Sequence, residues 1–325
     1  LAPAYADRQA RRHGWRPDEE SVRPFTSALH ALEVAMWHIT DPGDGVVGCS
    51  PTDDPFLDAI AESGRRCVEC PLTPGDARID AERLDAVVDE TTRVLLFCNP
   101  HNPTGRVFDA DEIAVVAGVA ERHDLVVITD EIWGELLHPD VVFRPLAISD
   151  ERFAGRLVTL GSASKTFNLA GLRTAVAHID HPPLAAALDA MAGHQLGSPS
   201  TLGITGTITA WTECDDWLAT AQRTLTARRD HLARRLADEM PSIGLSHPEA
   251  TYFGWLDFTD VANGRFGDDP AEALLRHGRV ALASGPKFGV GGRRRARLNF
   301  ATSAEILDDT IDRIATAIDH LEANT

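Results

Sequence analysis

Short apolar runs alternate with helix-like segments over the first half of the chain. The strand-like runs are GVVGC, RRCVEC, RVLLFC, DLVVIT, RLVTLG and TAVAHI. Segments between them, such as Ala81–Val88 and Asp109–Arg122, have apolar residues at the spacing of a helix. Strands that alternate with helices predict an α/β fold whose sheet is mostly parallel and covered on both faces.

The second half of the chain has a different pattern. After His178 there are long helical stretches, of which residues 216–240 form the clearest, followed by strand-like runs at TYFGWLDF, RVALAS and RARLNFA. A final helix is predicted from Ser303 to Leu321. The glycines of FGVGGRRRAR predict a hairpin loop. This half therefore indicates an α+β unit.

The length of the chain suits two domains. Its 325 residues exceed the roughly 250–300 residues at which a single core stops growing. From the change in pattern we predict a large α/β domain at residues 22–213. A smaller α+β domain is predicted at residues 214–325 and also includes residues 1–21.

Composition favours a soluble protein that acts on a small molecule. Hydrophobic residues make up 43% of the chain and charged residues 25%, which are ordinary values for a globular protein. No run approaches the roughly 18 apolar residues of a membrane span. The net charge of −18 opposes binding to nucleic acid or to an anionic membrane surface.

The five cysteines predict reduced thiols, because their number is odd and the chain is long. This usage favours a cytoplasmic location. Cys67 and Cys70 have the spacing of a metal-binding pair, but no second pair accompanies them. A strand at this point would direct the two thiols to opposite faces, so we predict no metal site.

Three of the strand-like runs lead into residues that can carry chemistry. RVLLFC leads into NPHNPTG, LVVIT into Asp130 and Glu131, and RLVTL into GSASK, which ends in Lys165. Ligands of open α/β sheets bind outside the carboxyl ends of the strands, so we expect these groups at one rim. Taken singly, Lys165 would be interpreted as a solvated surface charge and Asp130 as a capping carboxylate. Glu131 is expected to face structure or solvent.

A possible phosphate-binding turn surrounds the lysine. Ser162 and Ser164 can direct hydroxyl and N–H groups towards a phosphate, and Arg173 follows. Pyridoxal phosphate needs such a site, together with a lysine for a Schiff base and an acid beside its pyridine nitrogen. Lys165 and Asp130 have the chemistry for the last two tasks, so this cofactor joins all the groups at the rim.

The motifs NPHNPTG, TDEIW and GSASKTFNLAGLR, in this order, resemble the fold-type I pyridoxal-phosphate enzymes of aminotransferase classes I and II. Within that group, the chain most resembles the cystathionine β-lyase-like C–S lyases of the MalY and PatB branch. The resemblance runs from about Pro24 to the C-terminus and includes DPGDGVV and ATYFGWLDF. It implies a homodimer with a large, mostly parallel sheet domain and a small α+β domain.

The resemblance also implies roles for individual residues. Lys165 would form the Schiff base and move the Cα proton, and Asp130 would pair with the pyridine nitrogen. Asn102 would donate to the ring hydroxyl oxygen and contact the substrate, and Arg297 of ARLNFA would bind the substrate α-carboxylate. The alternative for Arg297 is a place in the solvated run Arg293–Arg295. The residues that would hold the phosphate are Ser162, Ser164, Arg173, Thr26, Ser27 and Ala28, the last three at the start of a predicted helix.

Several positions depart from the pattern of the family. Trp133 stands where most aminotransferases have Tyr and C–S lyases often have His, although an indole N–H can still contact the cofactor. Asp53 stands where the family stacks an aromatic ring on the cofactor. His101 is interpreted as a loop residue without a catalytic part. Family members also carry a segment before the equivalent of Leu1, which we expect either to have been removed or to be disordered.

These observations leave three hypotheses. The first is β-elimination from cystathionine or a cysteine S-conjugate, giving a thiol, pyruvate and ammonia. The second is transamination, which uses the same first steps and the same residues. The third is a descendant without catalysis, suggested by Asp53 and Trp133 and opposed by the retention of Lys165, Asp130 and Arg297. The likeness along the whole chain favours the lyase.

Overall fold

The computed structural model describes residues 1–323, apart from the side chain of His194. Its α-helices are α1 (Ala2–His13), α2 (Ala28–Ile39), α3 (Asp54–Glu62), α4 (Ala81–Val87), α5 (Ala110–Arg122), α6 (Pro182–Ala190), α7 (Thr201–Glu213), α8 (Asp215–Glu239), α9 (Pro270–Gly278) and α10 (Ala304–Ala323). Its strands are β1 (Val22–Phe25), β2 (Gly45–Ser50), β3 (Arg66–Pro71), β4 (Thr92–Cys98), β5 (Val126–Asp130), β6 (Leu157–Gly161), β7 (Ala175–Asp180), β8 (Gly244–Ser246), β9 (Phe253–Asp257), β10 (Ala283–Ser284) and β11 (Arg295–Asn299).

Seven strands form the large sheet, in the order β1-β7-β6-β5-β4-β2-β3. Neighbours from β3 to β6 pair in parallel, whereas β7 runs antiparallel to both β6 and β1. The mostly parallel α/β sheet predicted from the sequence is thus confirmed. The sequence did not predict β1, because four residues around Pro24 show no alternation. This strand lies at the edge of the sheet, where a proline without an N–H is tolerated.

Helices cover both faces of the large sheet. Along β4, Val94 and Leu96 pack against α2 and α3, whereas Leu95 and Phe97 pack on the opposite face against α5. All four side chains are buried, as expected for a strand in the middle of a doubly covered sheet. The two apolar layers hold the carboxyl ends of β4, β5 and β6 in fixed relative positions.

A second, antiparallel sheet lies in the C-terminal part of the chain. Its four strands have the order β10-β11-β9-β8, and α8, α9 and α10 pack on it around a separate apolar core. Ala283 and Ser284 pair with Arg297 and Ala296, so residues 285–294 form the predicted hairpin connection. This sheet carries Arg297 towards the large domain.

The N-terminal helix packs on the large domain. The ring of Tyr5 contacts that of Trp211 in α7, and the buried guanidinium of Arg8 donates to Glu135. We therefore propose that residues 1–21 belong to the large domain, in place of the predicted assignment to the small one. The rest of the predicted division remains a prediction, and its positions 324–325 lie outside the described residues.

Among residues 1–323, no helix is long and apolar enough to cross a membrane.

Candidate active site

The ends of three neighbouring strands bring the predicted motifs together. Asp130, the last residue of β5, lies opposite Cys98 of β4 on one side and Leu160 of β6 on the other. Asn102 follows Cys98 by four residues, and Lys165 follows Leu160 by five. The parallel register therefore places the acid between the loops that carry the amide and the amine, as expected for the carboxyl edge of an α/β sheet.

Most of the predicted residues line one cleft, whose volume is about 220 Å³. Asp53, Pro55 and Phe56 also line it, at the start of α3. The predicted residues in its wall are Thr26, Ser27, Ala28, Asp130, Ser162, Ser164, Lys165 and Arg173. Sequence motifs separated by more than a hundred residues thus meet at a single site.

One end of the cleft is suited to a phosphate. Ser27 caps α2 by accepting a hydrogen bond from the N–H of His30, and the first helical bond runs from Ala31 to the carbonyl of Ser27. The N–H groups of Ala28 and Leu29 thus precede the hydrogen-bonded turns and are open to an anion. Arg173 is exposed and forms no ion pair among the described residues, so its charge is also available.

The two serines of this region have different roles in the loop. The hydroxyl of Ser162 donates to the carbonyl of Thr174 at 2.7 Å and accepts from the N–H of Ser164 at 3.1 Å. A hydroxyl has one proton to donate, so Ser162 is occupied in holding the turn. Among the described residues, the Ser164 hydroxyl has one hydrogen-bond partner, the hydroxyl of Ser162 at 2.7 Å, and it can turn towards the cleft. The geometry favours Ser164 as the direct phosphate ligand and Ser162 as its support.

Asp130 is a buried carboxylate with few hydrogen bonds. The N–H of Ile132 donates to its Oδ1 at 3.2 Å, and the thiol of Cys98 lies 4.0 Å from Oδ2. Burial raises the pKa of Asp130 to about 7; the nearby charge of Asp53 adds to the rise, and the Ile132 hydrogen bond and Lys165 oppose it. A cationic N–H in the cleft would supply the positive partner that this carboxylate lacks and would stabilise its ionised form.

Glu131 points away from this chemistry. Its Oε1 accepts from the N–H of Leu146 at 2.9 Å, which ties β5 to the following loop. Burial raises its pKa to about 8, partly offset by this hydrogen bond. The carboxyl group does not line the cleft, so the structure agrees with the structural role expected for it.

Lys165 lies above Trp133. Its ammonium is 5.4 Å from the centroid of the indole ring and makes no hydrogen bond or ion pair within residues 1–323. Trp133 is buried and packs edge to face against Tyr252 and Phe253. Trp133 does not line the cleft itself, and its indole ring lies below the ammonium of Lys165.

The loop after β4 holds Asn102 in a fixed place. The N–H of His101 donates to the carbonyl of Arg106 and the N–H of Gly105 to the carbonyl of His101, and Gly105 turns the chain with a φ of +74°. A Cβ at Gly105 would lie 2.4 Å from Pro248, so the close approach also requires glycine. Within the loop, the His101 ring is buried and bonds to Thr104 at 2.8 Å, consistent with the expected structural role.

Arg297 is the partner of Asn102. Its Nη1 donates to Asn102 Oδ1 at 2.6 Å and to Asp53 Oδ1 at 3.2 Å. The guanidinium carbon lies 4.0 Å from the ring centroid of Phe253 and 4.7 Å from that of Phe288. Burial lowers the pKa of Arg297, and Asp53 opposes that change. Arg297 is therefore not part of the solvated run beside it, since two rings and two oxygens hold it.

The sequence did not reveal these supporting contacts. Phe253 precedes Arg297 by 44 positions and contacts it only because β9 pairs with β11. Phe288 belongs to the hairpin connection. The glycine pattern predicts a loop there but does not predict the contact between Phe288 and Arg297. Asp53 was noticed as a departure from the family, but its pairing with Arg297 depends on how the two halves of the chain meet.

The residues of the cleft fit pyridoxal phosphate. A buried, under-bonded carboxylate suits a protonated ring nitrogen, and an unpaired lysine suits a Schiff base. Because Asn102 Oδ1 faces Arg297, its NH₂ group is left to donate to a ring oxygen. The N-terminus of α2, Ser164 and Arg173 together form a cradle for a phosphate. Each of these residues thus has a group of the right type for one part of the cofactor.

The fold and the cleft define a pyridoxal-phosphate enzyme of fold type I. Comparison with protein families agrees, since the model described as "Aminotransferase class I and II" matches residues 2–314. The chain belongs to this family.

Individual relatives narrow the resemblance. Cystathionine β-lyase PatB of Bacillus subtilis is 30% identical over 94% of this chain and 80% of its own length. Cystathionine β-lyase of Corynebacterium glutamicum is 30% identical over 95% of this chain and 81% of its own. The crystal structure of cystalysin from Treponema denticola, which contains pyridoxal 5'-phosphate, superposes with a TM-score of 0.90 at 27% identity, covering 98% of this chain and 82% of that one. The MalY and PatB branch recognised from the motifs is thus confirmed.

Proposed function

We propose that the protein is a pyridoxal-phosphate-dependent carbon–sulfur β-lyase. Its substrates would be cystathionine or cysteine S-conjugates, and its products a thiol, pyruvate and ammonia. The observation that carries the proposal is the cleft in which an unpaired lysine, a buried acid and an anion cradle meet. The similarity to enzymes named cystathionine β-lyase supports the choice of substrate.

The residues of the cleft divide the reaction between them. When bound, pyridoxal phosphate supplies an electron sink for the pair left at Cα. Lys165 would hold the cofactor covalently and, once the substrate amine has replaced it, take the proton from Cα. The Cβ–S bond would then break, and the sulfur would leave with its electron pair as a thiolate. Water would convert the unsaturated amine that remains into pyruvate and ammonia. Asp130 would keep a positive charge at the ring nitrogen, and Arg297 would fix the substrate carboxylate.

Transamination is the second candidate, because the family description itself names aminotransferases. The same residues would remove the Cα proton. In a lyase the sulfur would then leave from Cβ, whereas in an aminotransferase Lys165 would return the proton to the cofactor. The nature of the products distinguishes the two reactions.

The test is to mix the cofactor-loaded protein with L-cystathionine and follow its absorbance, pyruvate and free thiol together. A β-lyase should release pyruvate and thiol over many turnovers while the cofactor colour persists. Bleaching after one turnover, with colour restored by a 2-oxo acid, would instead identify an aminotransferase. A protein that stays colourless with added cofactor would refute both.

Replacement of Arg297 should separate binding from chemistry. In Arg297→Ala, loss of the carboxylate contact should raise KM for the amino-acid substrate by about tenfold or more and change kcat less. Arg293→Ala is the matched control, since Arg293 is exposed and pairs with Asp268 at the surface. Equal KM values in the two variants would place the substrate carboxylate elsewhere.

We also propose a cytoplasmic homodimer that binds neither nucleic acid nor membrane. The resemblance to the family supports the dimer, and the odd number of free cysteines supports the compartment. The net charge of −18 supports the preference for small ligands. Sedimentation of the purified protein would test the dimer, and a monomer at micromolar concentration would contradict it.

A further inference from the structure

Asp53 is an acid in an unusual place. It stands at the cap position of α3, but no backbone N–H of that helix donates to its side chain. Its Oδ1 instead accepts from Nη1 of Arg297 at 3.2 Å. The same side chain lines the cleft with Lys165 and Asp130. A carboxylate of the protein therefore lies beside the arginine to which we assign the carboxylate of the substrate.

Arg297 does not need Asp53 to stay in position. Phe253 and Phe288 cover the guanidinium, and Asn102 binds Nη1 more closely than Asp53 does, at 2.6 Å. Asn102 Oδ1 and Asp53 Oδ1 both accept from Nη1. Within residues 1–323, the Nε and Nη2 groups of Arg297 make no hydrogen bond. Asp53 lines the cleft and contacts Arg297, so a ligand carboxylate that pairs with the Nε and Nη2 groups from the cleft must bind next to a like charge.

We propose that Asp53 is a specificity-determining residue that competes with the substrate α-carboxylate for Arg297. The proposal rests on the proposed function of Arg297 as the carboxylate-binding residue. The Asp53 contact is single and rather long, so a carboxylate that makes two hydrogen bonds to the guanidinium can displace it. A ligand that binds only through its carboxylate gains too little binding free energy to displace Asp53. The site thereby selects amino acids, which are also held through their amine, against simple carboxylic acids.

The position of Asp53 favours this role over a structural one. The side chain is 26% exposed, so it can turn to solvent when a ligand arrives. It contributes no cap to α3, and Arg297 keeps its other contacts without it. Removing the charge should therefore change ligand binding and leave the fold and the place of Arg297 unaltered.

The test uses propionate, a carboxylate without an amino group. Binding of ¹³C-labelled propionate to the cofactor-loaded protein is titrated by NMR at constant ionic strength, for the wild type, Asp53→Asn and Asp58→Asn. Asp58→Asn is the matched control, because it removes the same charge from an exposed position of the same helix. We expect the Kd for propionate to fall about fivefold or more in Asp53→Asn and to stay at the wild-type value in Asp58→Asn.

Several outcomes would overturn the proposal. An unchanged Kd in Asp53→Asn would do so, as would an equal fall in both variants or no propionate binding in any of them. Thermal melting checks the fold of each variant, and Asp53→Ser provides a second neutral side chain if Asp53→Asn does not fold. With amino-acid substrates, Asp53→Asn should lower KM, whereas Asp58→Asn should keep the wild-type KM. If the wild type shows no turnover but the propionate effect is present, the proposed function fails and the competition at Arg297 stands.

Discussion

Lys165→Ala should lose activity by at least about a thousandfold, because one amine serves both as the covalent anchor and as the base. The geometry behind this expectation is the unpaired ammonium in the cleft, 5.4 Å from the Trp133 ring. An amine without a carboxylate partner is free to react with an aldehyde and to exchange protons. Alanine keeps the local backbone and removes only these functions. Turnover of L-cystathionine, measured as pyruvate release, gives the loss directly.

The sequence offers a strict control, since Lys287 is the only other lysine in the chain. Lys287 is exposed, next to the ring of Phe288 that covers Arg297, and Lys287→Ala should keep wild-type turnover. Borohydride reduction of the loaded protein followed by digestion should leave the cofactor mass on the peptide that contains Lys165. Full activity in Lys165→Ala, or cofactor mass on Lys287 alone, would remove Lys165 from the mechanism.

The large sheet was predictable because its signals are local. Buried strands such as β4 and β5 are continuous apolar runs, and α5 begins with a capping box of Asp109 and Glu112. The polar residues at the strand ends could be assigned to one rim, since parallel strands point the same way. The loop of Asn102 and the acid Asp130 therefore followed from the order of the motifs alone.

The contacts that hold Arg297 were not predictable in the same way. Asn102 and Asp53 contact it only where the large domain meets the small sheet, and Phe253 contacts it through the pairing of β9 with β11. Local pattern also could not separate the roles of Ser162 and Ser164, which differ by one hydrogen bond to Thr174. Residue types were thus predictable at the rim, whereas pairings across the cleft required the fold.

The second large effect is expected from replacing Asp130, the acid that would pair with the ring nitrogen. Asp130→Asn keeps the size of the side chain and removes its charge, so removal of the Cα proton should slow by about a hundredfold or more. Exchange of the α-proton of L-alanine in heavy water, followed by NMR, measures this step without any leaving group. Glu131→Gln is the matched control, because that neighbouring, half-buried acid accepts a hydrogen bond from the N–H of Leu146 and does not line the cleft.

The pH dependence of cofactor binding tests the same group independently. Burial raises the pKa of Asp130 to about 7, so in the cofactor-free protein its ionised fraction grows as the pH rises through 7. The ionised form is the one that pairs with a cationic ring nitrogen, and wild-type affinity for pyridoxal phosphate should therefore increase over this range relative to Asp130→Asn. Parallel pH profiles in the two proteins, together with unchanged α-proton exchange, would mean that another group holds the ring nitrogen.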